Sequence, residues 1–182
     1  MKNKRSKLHR AEMRLTTWLV DHSLWLLRVS LGAIFLLFGV LKFVPGLSPA
    51  QELATRTTNV LSFGLVPAGL SIVLIAALEC TIGLGLISGR RMRLVLALLG
   101  FQMIGAMSPL FLFPGELFGG PFHAPTLEGQ YVIKDVVLIS AGLVLGATVH
   151  GGRIVSERVR RAEDYTRYAA RSTESARSVS VR

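Results

Sequence analysis

The chain has 182 residues, 51% of them hydrophobic, with a formal net charge of +10 and a mean hydropathy of +0.49. That is too apolar for an ordinary soluble domain of this size. The basic surplus sits in two tails and one short turn beside apolar runs, which argues against a nucleic-acid-binding fold. A single cysteine, Cys80, excludes an internal disulfide and any cysteine-rich metal or CxxC motif.

Residues 1–23 are polar and basic, with Lys2, Lys4, Arg5, Lys7, Arg10 and Arg14. A basic start before an apolar run resembles a signal peptide, but Leu24–Val44 is too long for an h-region and no small-x-small cleavage site follows it. It predicts a first transmembrane helix. In the loop that follows, Ser48-Pro49-Ala50-Gln51 reads as a helix start, with Ser48 as N-cap, Pro49 at the first helical position and Gln51 closing a capping box. That short helix runs to Ser62, where Gly64 and Pro67 end it.

The stretch Leu65–Ile87 then carries a single formal charge, Glu79. At about 1.5 Å per residue it extends about 34 Å, against about 30 Å of bilayer hydrocarbon. A carboxylate at that depth costs on the order of 2.5–3.5 kcal/mol. Glu79 therefore needs a partner, a proton or a water-filled pocket. Cys80 beside it reads as a packed core thiol.

A basic turn, Ser88–Arg93, leads to a third span over Leu94–Phe113. The segment PGELFGGPFHAPTLEG predicts an irregular loop. His123 within it has no second ligand at metal spacing and reads as an ordinary loop histidine, so no metal site is expected. A fourth span covers Tyr131–Val149. Residues 151–182 turn charged and serine-rich, with a surface helix expected from about Ile154 to Ala170 and a partly disordered remainder. The expected fold class is all-α: a polytopic membrane protein, residues 24–150 forming a four-transmembrane-helix bundle with a short extra helix in the first outer loop.

Lysine and arginine set the expected orientation. Six precede the first span, three occupy the Ser88–Arg93 turn and eight follow His150, whereas the first outer loop has only Arg56 and the second has none. The positive-inside rule places both termini in the cytoplasm, with the basic tails against anionic lipid.

Each span shows one small-and-polar stripe at helical spacing: Arg28, Gly32, Phe35, Gly39 and Lys42; Ala76, Glu79 and Gly83; Gln102, Gly105 and Pro109; Asp135, Ile139, Gly142 and Gly146. Small residues beside charges mark helix contacts away from lipid. Depth suggests that Arg28 pairs with Glu79 on the inner side, and that Lys42 or Lys134 pairs with Asp135 on the outer side. Such pairs could serve only to fix helix register, the lysines snorkelling to the head groups. Intramembrane ionisable groups are otherwise functional candidates.

The segments RVSLGAIFLLFGVLKF, LECTIGLGLISGR and GQYVIKDVVLISAGLVL resemble the DoxX family of small bacterial four-helix membrane proteins, in particular the branch containing the inner-membrane protein of reactive-chlorine resistance. The likeness covers roughly residues 24–150 and rests on Arg28, Gly32, Gly39 and Lys42, on Glu79 and Gly83, and on Lys134 and Asp135. It implies a protein of the bacterial cytoplasmic membrane, similar to the small membrane subunit of a thiosulfate:quinone oxidoreductase, and a role as accessory or quinone-proximal subunit in oxidative-stress defence.

The residues limit the chemistry that such a chain performs alone. Its histidines, His9, His22, His123 and His150, lie outside or at the ends of the spans, which leaves haem without axial ligands. No dinucleotide fingerprint, P-loop or Ser/His/Asp constellation is visible. A quinone head group held between helices stays feasible, bonded by Gln102 or by Glu79 and Arg28, with Glu79 relaying protons. A partner flavoprotein or an organic donor would supply electrons. Two other classes stay open: a non-catalytic anchor that recruits a soluble enzyme through its basic tails, and a small-solute transporter, for which four short spans without an internal repeat suit a homo-oligomer better than a monomer.

Overall fold

The structure, a computed structural model, describes residues 2–149 together with Tyr165 and Tyr168, with side chains from Glu12 onward. Every regular element among the described residues is helical: α1 Lys2–Lys42, α2 Gln51–Leu61, α3 Ala68–Ser88, α4 Met92–Met107, α5 Pro109–Leu112, α6 Pro114–Leu117 and α7 Leu127–Val149, with a 3₁₀ turn at Pro121–His123. Among the described residues four helices are long and apolar enough to cross a membrane: Glu12–Lys42, Ala68–Ser88, Met92–Leu112 and Pro121–Val149, the last two including neighbouring short turns. The helix expected over 154–170 falls outside the described residues, except that Tyr165 and Tyr168 are helical.

The basic segment and the first span, read separately from composition, form one helix of 41 residues, about 61 Å long. No proline or glycine occurs before Gly32, so nothing breaks the backbone where polarity changes near His22. Near that change the His22 ring stacks on Trp18, with centroids 4.7 Å apart, and His22 Nδ1 lies 2.9 Å from the Trp18 carbonyl.

α1 packs along α3 more extensively than any other helix pair, and glycines make the contact possible. A Cβ on Gly83 would lie 2.6 Å from the Leu36 amide nitrogen and 2.8 Å from the Gly32 carbonyl oxygen; one on Gly39 would lie 2.8 Å from Cys80 Sγ. The expected stripe of small residues on the first two spans is thus where the backbones touch. On the other two helices it is weaker. Gly142 meets Leu99, but Gly105 and Gly146 have open space where a side chain would be. The GxxxG of the fourth span therefore packs through one glycine only.

The centre of the bundle is a cluster of Leu31, Phe35, Ile82, Leu86, Leu99 and Leu145 with their neighbours. Residues such as Leu37, Phe101, Phe111, Val137 and Leu143 face outward, as suits helices surrounded by hydrocarbon.

α2 and the segment 108–126 lie at one end of the bundle, called here the loop end. The anticipated capping box does not form. Gln51 Oε1 accepts from the Gly46 amide at 3.3 Å, Ser48 is buried in the bundle, and the helix begins at Gln51 after Ala50. Its far end closes at the expected place in a Schellman motif: the Phe63 and Gly64 amides donate to the Val60 and Asn59 carbonyls at 3.1 and 2.8 Å, with Phe63 at φ +53 as the left-handed residue and Gly64 following at φ +80.

α7 starts four residues before the expected span. Thr126 supplies the reason: its Oγ1 accepts from the Gly129 amide at 3.2 Å, capping the helix, while its own amide donates to the Leu117 carbonyl at 2.8 Å. A Cβ on Gly129 would run into that same Leu117 carbonyl, so a side chain there would push α6 away. A Thr before an apolar helical run is a legible N-cap signal that the loop reading passed over.

The loop end is tied together by a second cluster, Leu53, Leu117 and Val132, and by a two-pronged bridge from Arg56 to Glu116 at 2.7 and 3.0 Å. The Arg56 guanidinium also lies 4.8 Å from the Phe113 ring centroid. The hydrogen bonds to Glu116, and then its charge, raise the Arg56 pKa above the ordinary value, so this end of the bridge stays charged at every accessible pH. Both partners are about half exposed, so water and salt screen the pair. Glu116→Gln is expected to leave the unfolding temperature of the bundle almost unchanged while raising amide exchange in α2 severalfold. Exchange equal to wild type would mean that Leu53 and Leu117 alone hold the helix down.

Candidate functional site

Five of the polar candidates, Lys42, Glu79, Gln102, Lys134 and Asp135, converge on one cavity of about 930 Å³ at the loop-end half of the bundle, roofed by α2 and walled by α1, α3, α4 and α7. Its lining is mostly apolar, including Phe35, Phe38, Leu53 and Met103, with a few polar groups set among them. Its size and composition are those of a small-molecule site.

The centre of its polar wall is Glu79. Lys42 Nζ lies 2.6 Å from Glu79 Oε2 and Gln102 Nε2 donates to Oε1 at 3.1 Å. The Lys42 and Glu79 side chains are only 8% and 10% exposed. Three separate helices thus deliver one carboxylate and its two donors. An ammonium has three N–H donors and an amide group two. Lys42 therefore keeps two donors, and Gln102 keeps one donor and its carbonyl oxygen, free of other hydrogen bonds among the described residues; the Lys42 ammonium also lies 5.9 Å from the Phe38 ring centroid.

The expected partner of Glu79 was Arg28, and the structure corrects this. α1 and α3 run antiparallel with Gly39 at the level of Glu79 and Cys80, and with Gly32 at the level of Gly83 to Ile87. Arg28 is eleven residues before Gly39, about 16 Å along the axis, beyond the combined reach of the two side chains. Its guanidinium lies instead against Gly89, at the C-terminal end of α3, where a cation complements the helix dipole. Lys42 reaches Glu79 because side chains lean toward the N-terminus of their own helix. In an antiparallel pair Lys42 leans back and Glu79 leans up to meet it.

The outer pairing fails for the same reason and one more. Lys42 is committed to Glu79. Lys134 and Asp135 are sequence neighbours, which on a helix do not face each other. The Lys134 ammonium lies 5.1 Å from the Tyr131 ring centroid, and Asp135, half-buried in the cavity wall, makes no ion pair or hydrogen bond among the described residues. His123 is exposed in the 3₁₀ turn with φ +60, away from this cavity.

Two residues that the sequence did not single out also line the site. Ser71 is fully buried and donates to the Pro67 carbonyl at 3.1 Å. Thr57, on the buried face of α2 together with Leu53, is 5% exposed and its Oγ1 has no hydrogen-bond partner among the described residues. A threonine in a polar outer-loop helix gives no periodic signal that separates it from its neighbours, so only the fold picks it out.

These features define a multi-pass helical membrane protein with a polar-walled cavity inside a four-span bundle. The chain belongs to the DoxX family, whose model matches residues 23–114. The matched stretch carries Lys42, Thr57, Glu79 and Gln102 and stops before Asp135. No curated protein and no solved structure matches the chain.

Proposed function

We propose that the cavity binds a quinone head group and that the chain is the membrane subunit of a quinone-linked redox system, with a role in oxidative-stress defence like that of the reactive-chlorine-resistance branch it resembles. The observation that carries this reading is the Lys42–Glu79–Gln102 constellation buried in the wall of an otherwise apolar cavity. A quinone needs that combination: donors for a ring oxygen, an apolar slot for the ring and tail, and a carboxylate near enough to exchange protons. The free donors of Lys42 and Gln102 bond the oxygen, and Glu79 holds or releases the proton. A soluble partner, a reduced flavoprotein, supplies the electrons. The proposed setting is the bacterial inner membrane with both termini cytoplasmic, since lysine and arginine concentrate in the tails and the Ser88–Arg93 turn; anionic lipid then lies under the basic segments.

The test is to extract the protein into native nanodiscs and quantify co-purifying quinone against an unrelated four-span protein, with Glu79→Gln in parallel. Near-stoichiometric quinone in the wild type, falling to the control level in the variant, is the expected outcome. Quinone at the control level in the wild type would sink the proposal and leave an anchor or a transporter as the better reading.

A further inference from the structure

Among the described residues, five large apolar side chains belong to the cavity wall and are exposed at the same time: Ile34, Leu61, Leu74, Phe101 and Ile104. A side chain with one flank on a cavity and much of its surface outside marks a place where the wall ends. Four of the five come from α2, α3 and α4, and Phe101 and Ile104 are 69% and 75% exposed. Because α3 and α4 belong to spans, the medium outside that stretch of wall is hydrocarbon.

The opening follows from how α3 and α4 meet. Near the turn that joins them they are close-packed: a Cβ on Gly85 would lie 2.5 Å from a Val95 methyl carbon. Leu78 and Leu74 precede Gly85 by seven and eleven residues, so helical spacing puts them on the same side of α3, toward α4. Leu78 still packs on the core, but Leu74 is about half exposed. Between Gly85 and Leu74, Glu79 accepts from Gln102 across the two helices. One turn further along α4 is Gly105, also in the cavity wall, with nothing within 4 Å of the place its side chain would take. Glycine in a membrane helix commonly serves close approach. This one approaches nothing and leaves a gap beside Gln102.

We propose that this gap is a lateral window: the ligand enters the cavity from the bilayer between α3 and α4, and its tail stays in the window while its head group reaches Gln102 and Glu79. This rests on the quinone reading above and narrows it to quinones with a long apolar tail. The order of parts suits such a molecule, with the polar groups at the inner end and Leu74, Phe101 and Ile104 at the opening. The two other exposed residues of the wall, Pro49 and Lys134, lie away from this window, and a ligand arriving from water would pass them instead. On that side the roof is pinned by the Arg56–Glu116 bridge and by Leu53 against Leu117 and Val132.

The test uses the full chain in nanodiscs and two probes with one ring, tetramethyl-1,4-benzoquinone and its analogue in which decyl replaces one methyl. For the wild type, a form of the decyl probe with a photoreactive diazirine at the tail end is bound and illuminated, with and without excess unlabelled decyl probe, and adducts are mapped by mass spectrometry. Adducts on Leu74, Phe101 or Ile104 that the competitor abolishes are expected. Competed adducts confined to Pro49, Lys134 or other residues outside the window, or none while binding persists, would overturn the window. Gly105→Trp fills the gap with an indole; Gly100→Trp, on the same helix, equally open and outside the cavity, is its control. Gly105→Trp is expected to weaken the decyl probe about tenfold, the scale of an overpacked contact, and the tail-less probe by about twofold at most. Gly100→Trp is expected to change neither. Equal losses for both probes in Gly105→Trp, or none for either, would overturn the window while the quinone site itself stands. Absence of decyl-probe binding in the wild type, or binding indifferent to Glu79→Gln, would instead overturn the quinone reading and this inference with it. Should Gly105→Trp fold poorly, the wild-type labelling decides alone.

Discussion

Lys42→Met is expected to destabilise the bundle by about 3–5 kcal/mol, the usual consequence of leaving one member of a buried ion pair alone. The Lys42 and Glu79 side chains are both about nine-tenths buried, and Gln102 is the only other hydrogen-bond donor to the carboxylate among the described residues. Removing the ammonium leaves a carboxylate that neither a lone amide nor hydrocarbon can solvate. Adding Glu79→Leu to the same chain removes the stranded group. The double variant is therefore expected to regain most of the lost stability, since buried pairs replaced whole by apolar residues are often neutral or better. It is not expected to regain quinone. Thermal unfolding of the three variants in nanodiscs reads the first effect and co-purifying quinone the second. Single and double variants of equal instability would show that the packing of the lysine stem, and not its charge, carries the contribution. Fold recovery without ligand recovery would separate the structural part of the pair from its part in the site.

Gly83→Ala is expected to disrupt the α1–α3 contact, at a cost of about 1–3 kcal/mol or more. The new methyl would meet backbone atoms, the Leu36 amide nitrogen at 2.6 Å and the Gly32 carbonyl oxygen at 2.8 Å. Backbone cannot swing aside as a side chain does, so the two helices must separate along their length. Because α1 supplies Lys42 and α3 supplies Glu79, the same separation would lengthen the ion pair and weaken ligand binding. Gly100→Ala is the control. Nothing lies within 4 Å of its would-be side chain, and helix propensity alone predicts a gain of about 0.8–1 kcal/mol. Alanine scanning of both sites by thermal unfolding should give opposite signs. A neutral Gly83→Ala would mean that the α1–α3 contact is looser than the described packing.

The sites of these two effects differ in how far the sequence discloses them. Gly83, Gly32 and Gly39 are legible as a contact stripe because helical spacing assigns a face, and small residues on a charged face have few uses in a membrane other than close approach. Glu79 and Gln102 are legible as candidates because polar groups in apolar runs are costly. The partner of Glu79 is not legible. Helical spacing tells which way a side chain points around the axis, but the level at which two antiparallel helices meet depends on the turn between them and on how glycines interlock. A shift of a few residues exchanges Arg28 for Lys42. Thr57 is further from reach, since nothing in a polar loop helix marks it as a buried position.

Hydropathy, charge placement and small-residue spacing by themselves determine that this chain is a four-span helical membrane protein, which segments span, and which face of the first two spans is in contact. Those properties follow from local chemistry: apolar length against bilayer thickness, and the period of the α-helix. Tertiary structure alone decided that Lys42 holds Glu79, that Arg28 lies against the end of α3, that Asp135 stands without a partner among the described residues, and that α2 roofs a cavity with Thr57 in its wall. Each of these is a relation between residues far apart in the chain, set by helix levels and by a loop helix whose docking no local pattern encodes.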